Sequence, residues 1–178
     1  MKYLRRFVWY LSSRMIAVCA VLAMMVVGFY YAMNVSNMQV VLKDGMAKRA
    51  QTVMMGQEET ELSKYFQASF LERDEALVAA RSGKSPYKDY NVNGIDHRLS
   101  MAWMWCWPWE DSAKADIVEE IPKIDGRIKS SLQQAALAAG GEERLAPPRW
   151  QSAKYRATLV REDGAWKIRS LQLLEVFN

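Results

Sequence analysis

The sequence predicts an α+β protein: an N-terminal transmembrane helix and stalk, then an amphipathic helix packed on a curved antiparallel sheet. Three observations carry that expectation. Met15 to Met33 contains no charged residue. Residues 58–80 place apolar side chains at helical spacing. After Tyr87 the apolar period changes to two, and Glu162-Asp163-Gly164 reads as a hairpin turn.

The bulk numbers set the outer bounds. A chain of 178 residues suits one domain plus an appendage. At 51% hydrophobic and 25% charged it is too apolar to be intrinsically disordered. Two cysteines, Cys19 and Cys106, allow at most one bridge, which excludes a disulfide scaffold. A single histidine, His97, excludes a histidine-based metal cluster.

The formal charge of +4 belongs entirely to the N-terminus. Lys2, Arg5, Arg6 and Arg14 precede every other charge, and the chain after them is formally neutral. No run of more than two consecutive Lys/Arg follows Arg6, so no cationic footprint for phosphates is evident and nucleic acid is not expected as a partner.

Residues 15–33 form a helix about 28 Å long at 1.5 Å per residue, the thickness of a bilayer's hydrocarbon. Arg14 and the Arg5/Arg6 pair mark one side; Phe29, Tyr30 and Tyr31 mark the other as an aromatic belt. A cleaved signal peptide is the competing reading. Its apolar region is usually shorter and ends in small residues, whereas this run ends FYYAMN. The lipid bilayer is therefore an expected partner through residues 15–33. Lys43, Lys48 and Arg49 follow at a distance and are diluted by Asp44, so the positive-inside rule favours a cytoplasmic N-terminus. The expected organisation is a short cytoplasmic basic tail (1–14), a transmembrane helix (15–33), a helical stalk (34–56) and an extracytoplasmic domain (57–178).

Within the stalk, Met38, Val41, Leu42, Met46, Val53 and Met54 recur at three- to four-residue steps, while Gly45 and Gly56 weaken the helix. Residues 58–80 begin with Glu58, Glu59 and Glu61, where a helix dipole favours acids, and stop before Gly83 and Pro86. Leu62, Tyr65, Phe66 and Phe70 share one face. In the next strand Leu99, Met101, Trp103, Trp105 and Trp107 alternate onto one side, with Ala102, Met104 and Cys106 on the other; Pro108 ends it. Residues 112–121 read as a strand with Ala113, Ala115, Ile117, Glu119 and Ile121 on one face, and Pro122 to Gly126 as a turn. Residues 127–149 read as an excursion containing a short helix. Two strands, Ala153 to Val160 and Ala165 to Val176, close the chain.

The LSKYFQASFL helix and the Y-x-A-x-L-x-x-x-D-G-x-W-K-I pattern of Tyr155 to Ile168 resemble the nuclear transport factor 2-like superfamily. The resemblance covers roughly residues 57–176 and implies a cone of one curved sheet wrapped around helices. It implies that Gly164 marks the hairpin and that Trp166 packs under the sheet. Membrane-anchored members include the periplasmic part of the type IV secretion inner-membrane scaffold, which has the same order of short tail, single span and outside domain. The sequence departs from soluble enzymes of the superfamily by having one long helix ahead of the sheet rather than two or three.

Enzymes of that fold use an acid in the cone as a general base. The candidates here are Asp96, Asp116, Glu119, Glu120 and Asp125, of which Glu119 stands out because it shares a face with Ile117 and Ile121. The alternative is that Glu119 meets solvent or pairs with a basic residue across the sheet. Asp96 and His97 are strand neighbours and point to opposite faces, so they make no dyad. Cys106 lies between Trp105 and Trp107 without the nearby cation that a reactive thiolate needs. Phosphate-loop, dinucleotide, zincin and hydrolase-elbow motifs are missing. The expectation is a protein without catalytic residues, metal or cofactor. Trp103, Trp105, Trp107 and Trp109 are either an aromatic wall of the core or an exposed binding surface for a partner, a glycan or the membrane interface. The leading expectation is a membrane-anchored, non-catalytic interaction or assembly module with a membrane or cell-envelope protein as partner. A small-ligand-binding cone and an acid/base enzyme using Glu119 are the alternatives.

Overall fold

The computed structural model describes residues 2–177; the side chains of Lys2, Leu4, Arg5, Val8 and Trp103 lie outside the described residues. The chain is α+β, with one very long helix followed by an antiparallel sheet. Helix α1 runs without a break over Lys2–Met55. Among the described residues it is the one helix long and apolar enough to cross a membrane.

Residues 34–56, expected as a helical stalk, are helical through Met55, and their apolar stripe is packed into the domain. Met38, Leu42, Met46 and Ala50 recur every four residues and are fully buried, and Val53 and Met54 join them. This stripe packs against the sheet and forms the centre of the core with Ile117, Leu159 and Ile168. A four-residue repeat keeps one helix face on one partner. At Gly45 the helix passes so close to the following segment that an added Cβ would lie 2.9 Å from Tyr65 Cβ and 3.3 Å from Ile168 Cδ1.

The expected helix over 58–80 is three short pieces: a 3-10 turn at Glu59–Lys64, α2 (Ala68–Arg73) and α3 (Glu75–Arg81). Two tertiary demands break it. At Phe66 the backbone bridges Ile168: the Ile168 N–H donates to Tyr65 O (2.7 Å) and the Gln67 N–H to Ile168 O (3.0 Å). At Asp74 the side chain caps α3, accepting from the Leu77 N–H at 2.9 Å, and its other oxygen accepts from Arg49 of α1. A cap and a bridge each outweigh the small propensity gain of one more helical residue.

The sheet has four strands in sequential order: β1 (Tyr90–Trp105), β2 (Ser112–Ile128), β3 (Ser152–Glu162) and β4 (Ala165–Phe177). The expected turn at Pro122–Gly126 is instead the continuation of β2. Ile121 and Pro122 lie where the β1–β2 register shifts, and β3 pairs no farther than Glu119. A proline without an N–H is tolerated at such a bulge beyond the partner's reach. Residues 129–149 return through a 3-10 turn, helix α4 (Gln133–Gly140) and a second 3-10 turn. The hairpin between β3 and β4 turns through Asp163 and Gly164, both at positive φ (52° and 79°), as a two-residue turn of matching twist requires. Trp166 beside it is buried under the Arg161 guanidinium.

Replacing Gly45 by alanine tests the close approach. Overpacking of a tight contact costs about 1–3 kcal/mol, which exceeds the gain of about 1 kcal/mol from helix propensity. Gly45→Ala is therefore expected to lower the urea midpoint of the detergent-solubilised chain. Gly28→Ala, whose Cβ would meet nothing within 4 Å, is not.

Candidate functional site

Three places hold the side chains that could interact: the β1–β2 connection, a buried polar network, and an open cleft beside β4.

The first is set by a register shift. Between Met101 and Trp103 the pairing of β1 with β2 gains an extra residue, and the strict alternation read from the sequence flips there. Leu99, Met101, Met104 and Cys106 consequently face the core. Trp105, Trp107 and Trp109 face outward with 45%, 41% and 68% of their surface exposed. They are no aromatic wall of the core. Candidate Trp103 keeps its backbone pairing to Asp116, but its side chain lies outside the described residues. The three described rings form a chain: Trp105 meets Trp107 edge-on at 5.2 Å and Trp107 stacks on Trp109 at 5.1 Å. Tyr31 of α1 continues it, 5.6 Å from Trp105. Cys106 turns inward, and burial, then Glu110, pushes its thiol up, so it stays protonated.

The second lies inside. Glu119 is fully buried on the inner face of β2, with Ile117 and Ile121. His97 Nε2 sits 3.1 Å from one of its oxygens, and the Trp150 indole N–H donates to the other at 3.3 Å. Pairing across the sheet, the alternative weighed for this residue, is thus what the structure contains. His97 and Asp96 do face opposite ways; Asp96 is held by Arg98 at 2.7 Å. Of the other acids, Asp116 binds Arg156, whose hydrogen bond holds its carboxyl below the usual range. The sequence did not mark Trp150 or Arg49 for this network. Arg49 lies 5.8 Å above the Trp150 ring and forms a buried ion pair with Asp74 at 2.9 Å. Both come from segments far from Glu119 in the chain, so only the folded packing assembles them.

The third is a broad cleft of about 1230 Å³ between α2/α3 and the outer half of β4, with Arg49, Tyr87, Trp150 and Tyr155 on its inner wall. Arg73 and Arg169 stand exposed along it and form no ion pair among the described residues. Arg49 keeps one buried donor, Nη1, without a partner. Burial pushes the Tyr87 hydroxyl up to about 12 and moves Tyr155 in the same direction, there with a further push from Glu119. Glu119 itself does not line the cleft.

No protein-family model matches the chain, and no curated protein matches it either.

Two predictions follow from the interior. Glu119→Ala strips the partner from two buried groups and should cost about 3 kcal/mol of stability. Glu119→Gln retains most of the shape and hydrogen bonding and should cost about 1 kcal/mol. Urea unfolding followed by tryptophan fluorescence separates them. The tyrosine shift sets an alkaline limit. An unfolded tyrosine ionises near 10.0 and folded Tyr87 near about 12. Its contribution is therefore whole below pH 10 and is lost as pH rises from 10 to 12. The melting temperature should fall through that window, and Tyr87→Phe should make the fall shallower.

Proposed function

We propose that the chain is a single-pass membrane protein with a cytoplasmic N-terminus, whose outside domain is a non-catalytic interaction module. The domain captures an extended segment of another membrane or envelope protein along β4. The observation that carries this reading is the half-closed edge of β4. At Ile168 the edge is occupied by the Phe66 bridge. Beyond it, Leu173, Leu174, Val176 and Phe177 are all exposed large apolar residues on a strand that is paired on one side only.

Proteins normally blunt such edges with charge, proline or cover. Here the bridge supplies cover over one part and leaves the next part open, the arrangement used where a partner adds a strand. The cleft runs along the same stretch, with Leu171 and Leu173 on its lining. Arg73 and Arg169, which form no ion pair among the described residues, and Arg49 Nη1, which has no hydrogen-bond partner among them, favour an incoming segment that carries a carboxylate among apolar residues. Anchoring by α1 confines the domain to one surface and raises its effective concentration for neighbours there.

The resemblance to the nuclear transport factor 2-like superfamily fits this reading. The sheet packs around a helix, the hairpin carries Gly164, and Trp166 is buried beneath it. The cleft also favours a second reading, a small-ligand site walled by the Tyr87–Trp150 aromatic pair. The acid/base reading has less support, because both oxygens of Glu119 are engaged and the side chain is sealed from solvent.

Photo-crosslinking in native membranes tests the proposal, with the probe at Leu173 and a control at exposed Lys84. The expected result is one discrete product at Leu173, lost when Val176→Glu and Phe177→Glu are introduced together. Equal labelling at both positions, or no product at Leu173, contradicts the strand-capture reading.

A further inference from the structure

The exposed tryptophans sit beside the apolar stretch of α1, which is uncovered among the described residues. Between them runs a groove of about 530 Å³, with Ala23, Met24, Val27 and Gly28 on the α1 side and Trp105, Trp107 and Pro108 opposite. From Tyr31 back to Ala23 the groove follows α1 for about 12 Å at 1.5 Å per residue. This is the outer half of the stretch, exposed at every residue from Leu11 to Tyr30 and half-buried at Tyr31. The connection is also held in place. The Asn34 side chain donates to Pro108 O at 3.3 Å and accepts from Arg161 of β3 at 3.0 Å, so helix, connection and sheet meet at one polar clamp. The Trp107 N–H donates to the Glu110 carboxylate at 2.8 Å, which closes the turn.

We propose that the β1–β2 connection is seated in the outer interface of the bilayer that α1 crosses, and that the groove between Trp107 and α1 holds a lipid acyl chain. The inference rests on the reading of α1 as a membrane span. The occupant follows from position and chemistry. The groove walls are almost wholly apolar and continue directly into the uncovered face of α1, which in a membrane touches lipid. Indole rings are apolar bodies with one N–H, and they settle where acyl chains meet headgroups. Trp107 stacks on Trp109, and the acidic residues Glu110 and Asp111 follow directly in the chain, Glu110 half-buried and Asp111 exposed. Fixed by the Asn34 clamp, the connection gives the domain a second membrane contact beside the helix, which sets its tilt on the surface.

Depth-resolved quenching tests this on the full chain in phosphatidylcholine/phosphatidylglycerol vesicles containing doxyl-labelled lipid. A nitrobenzoxadiazole probe is attached at Trp109→Cys in a Cys19→Ala background; buried Cys106 does not react, and the exposed Trp109 side chain is replaced without touching the core. The control is the same probe at Lys84→Cys. A third sample labels native Cys19, inside the predicted span. The expected result is blue-shifted emission at 109, quenched more strongly by shallow than by deep doxyl groups, with position 84 unshifted and unquenched. If Cys19 is quenched and position 109 behaves like position 84, the seated connection is overturned while the span stands. Blue-shifted emission at 109 without quenching is the result for a second copy's helix in the groove, and it overturns the lipid assignment. Failure to quench Cys19 overturns both the span and the inference.

Discussion

The packing of one face of α1 against the inner side of the sheet is the constraint on which the rest of the protein depends. Met38, Leu42, Met46 and Ala50 are completely buried, and among the described residues no other element supplies the sheet with a comparable apolar face. A fully buried Leu or Met is worth about 1.5–3 kcal/mol. The stripe is therefore a major part of what holds β1 to β4 in a folded sheet. The same helix continues without a break into the uncovered apolar stretch. The apolar stretch and the core thus share one helix, and a break at their junction would uncouple them.

That continuity fixes how the two ends of the domain lie relative to the apolar stretch. The tryptophan connection is clamped through Asn34 to the helix just beyond the apolar stretch. The open part of β4 pairs with the start of β3, at the far end of the sheet from that clamp. One end of the domain is thus turned toward the helix's apolar half, and the uncovered strand and its cleft are turned away from it. The buried Arg49–Asp74 pair ties the distal end of α1 to α3 and so shapes the cleft wall. Its worth is in placing α3, since an ion pair removed from water gains little net stability.

Much of this was legible in the chain. The uncharged run of residues 15–33, the Asp163-Gly164 turn and the inward face of Ala113, Ala115, Ile117, Glu119 and Ile121 all follow local rules of period and turn chemistry. What was not legible depends on partners distant in sequence. The stripe of Met38, Leu42 and Met46 reveals an amphipathic helix but not what it covers, so a stalk and a core helix look alike. Phe66 and Asp74 break an otherwise good helical pattern because the edge of β4 and the Arg49 side chain claim them. The register shift after Met101 turns Trp105 and Trp107 out of the core, and alternation alone has no signal for a bulge. Pro122 reads as a turn until its position within another bulge, on β2 itself, is seen. Trp150 and Arg49 reach Glu119 and the cleft only through the assembled fold.

The direct test of the central claim is amide hydrogen exchange on the full chain in lipid vesicles, read residue by residue across 30–55. One uninterrupted helix shared by anchor and core predicts strong protection from Tyr31 through Met54, with no fast-exchanging step between Met33 and Met38. Rapid exchange confined to residues 33–38, beside protected segments on both sides, would reveal a flexible joint and contradict the account.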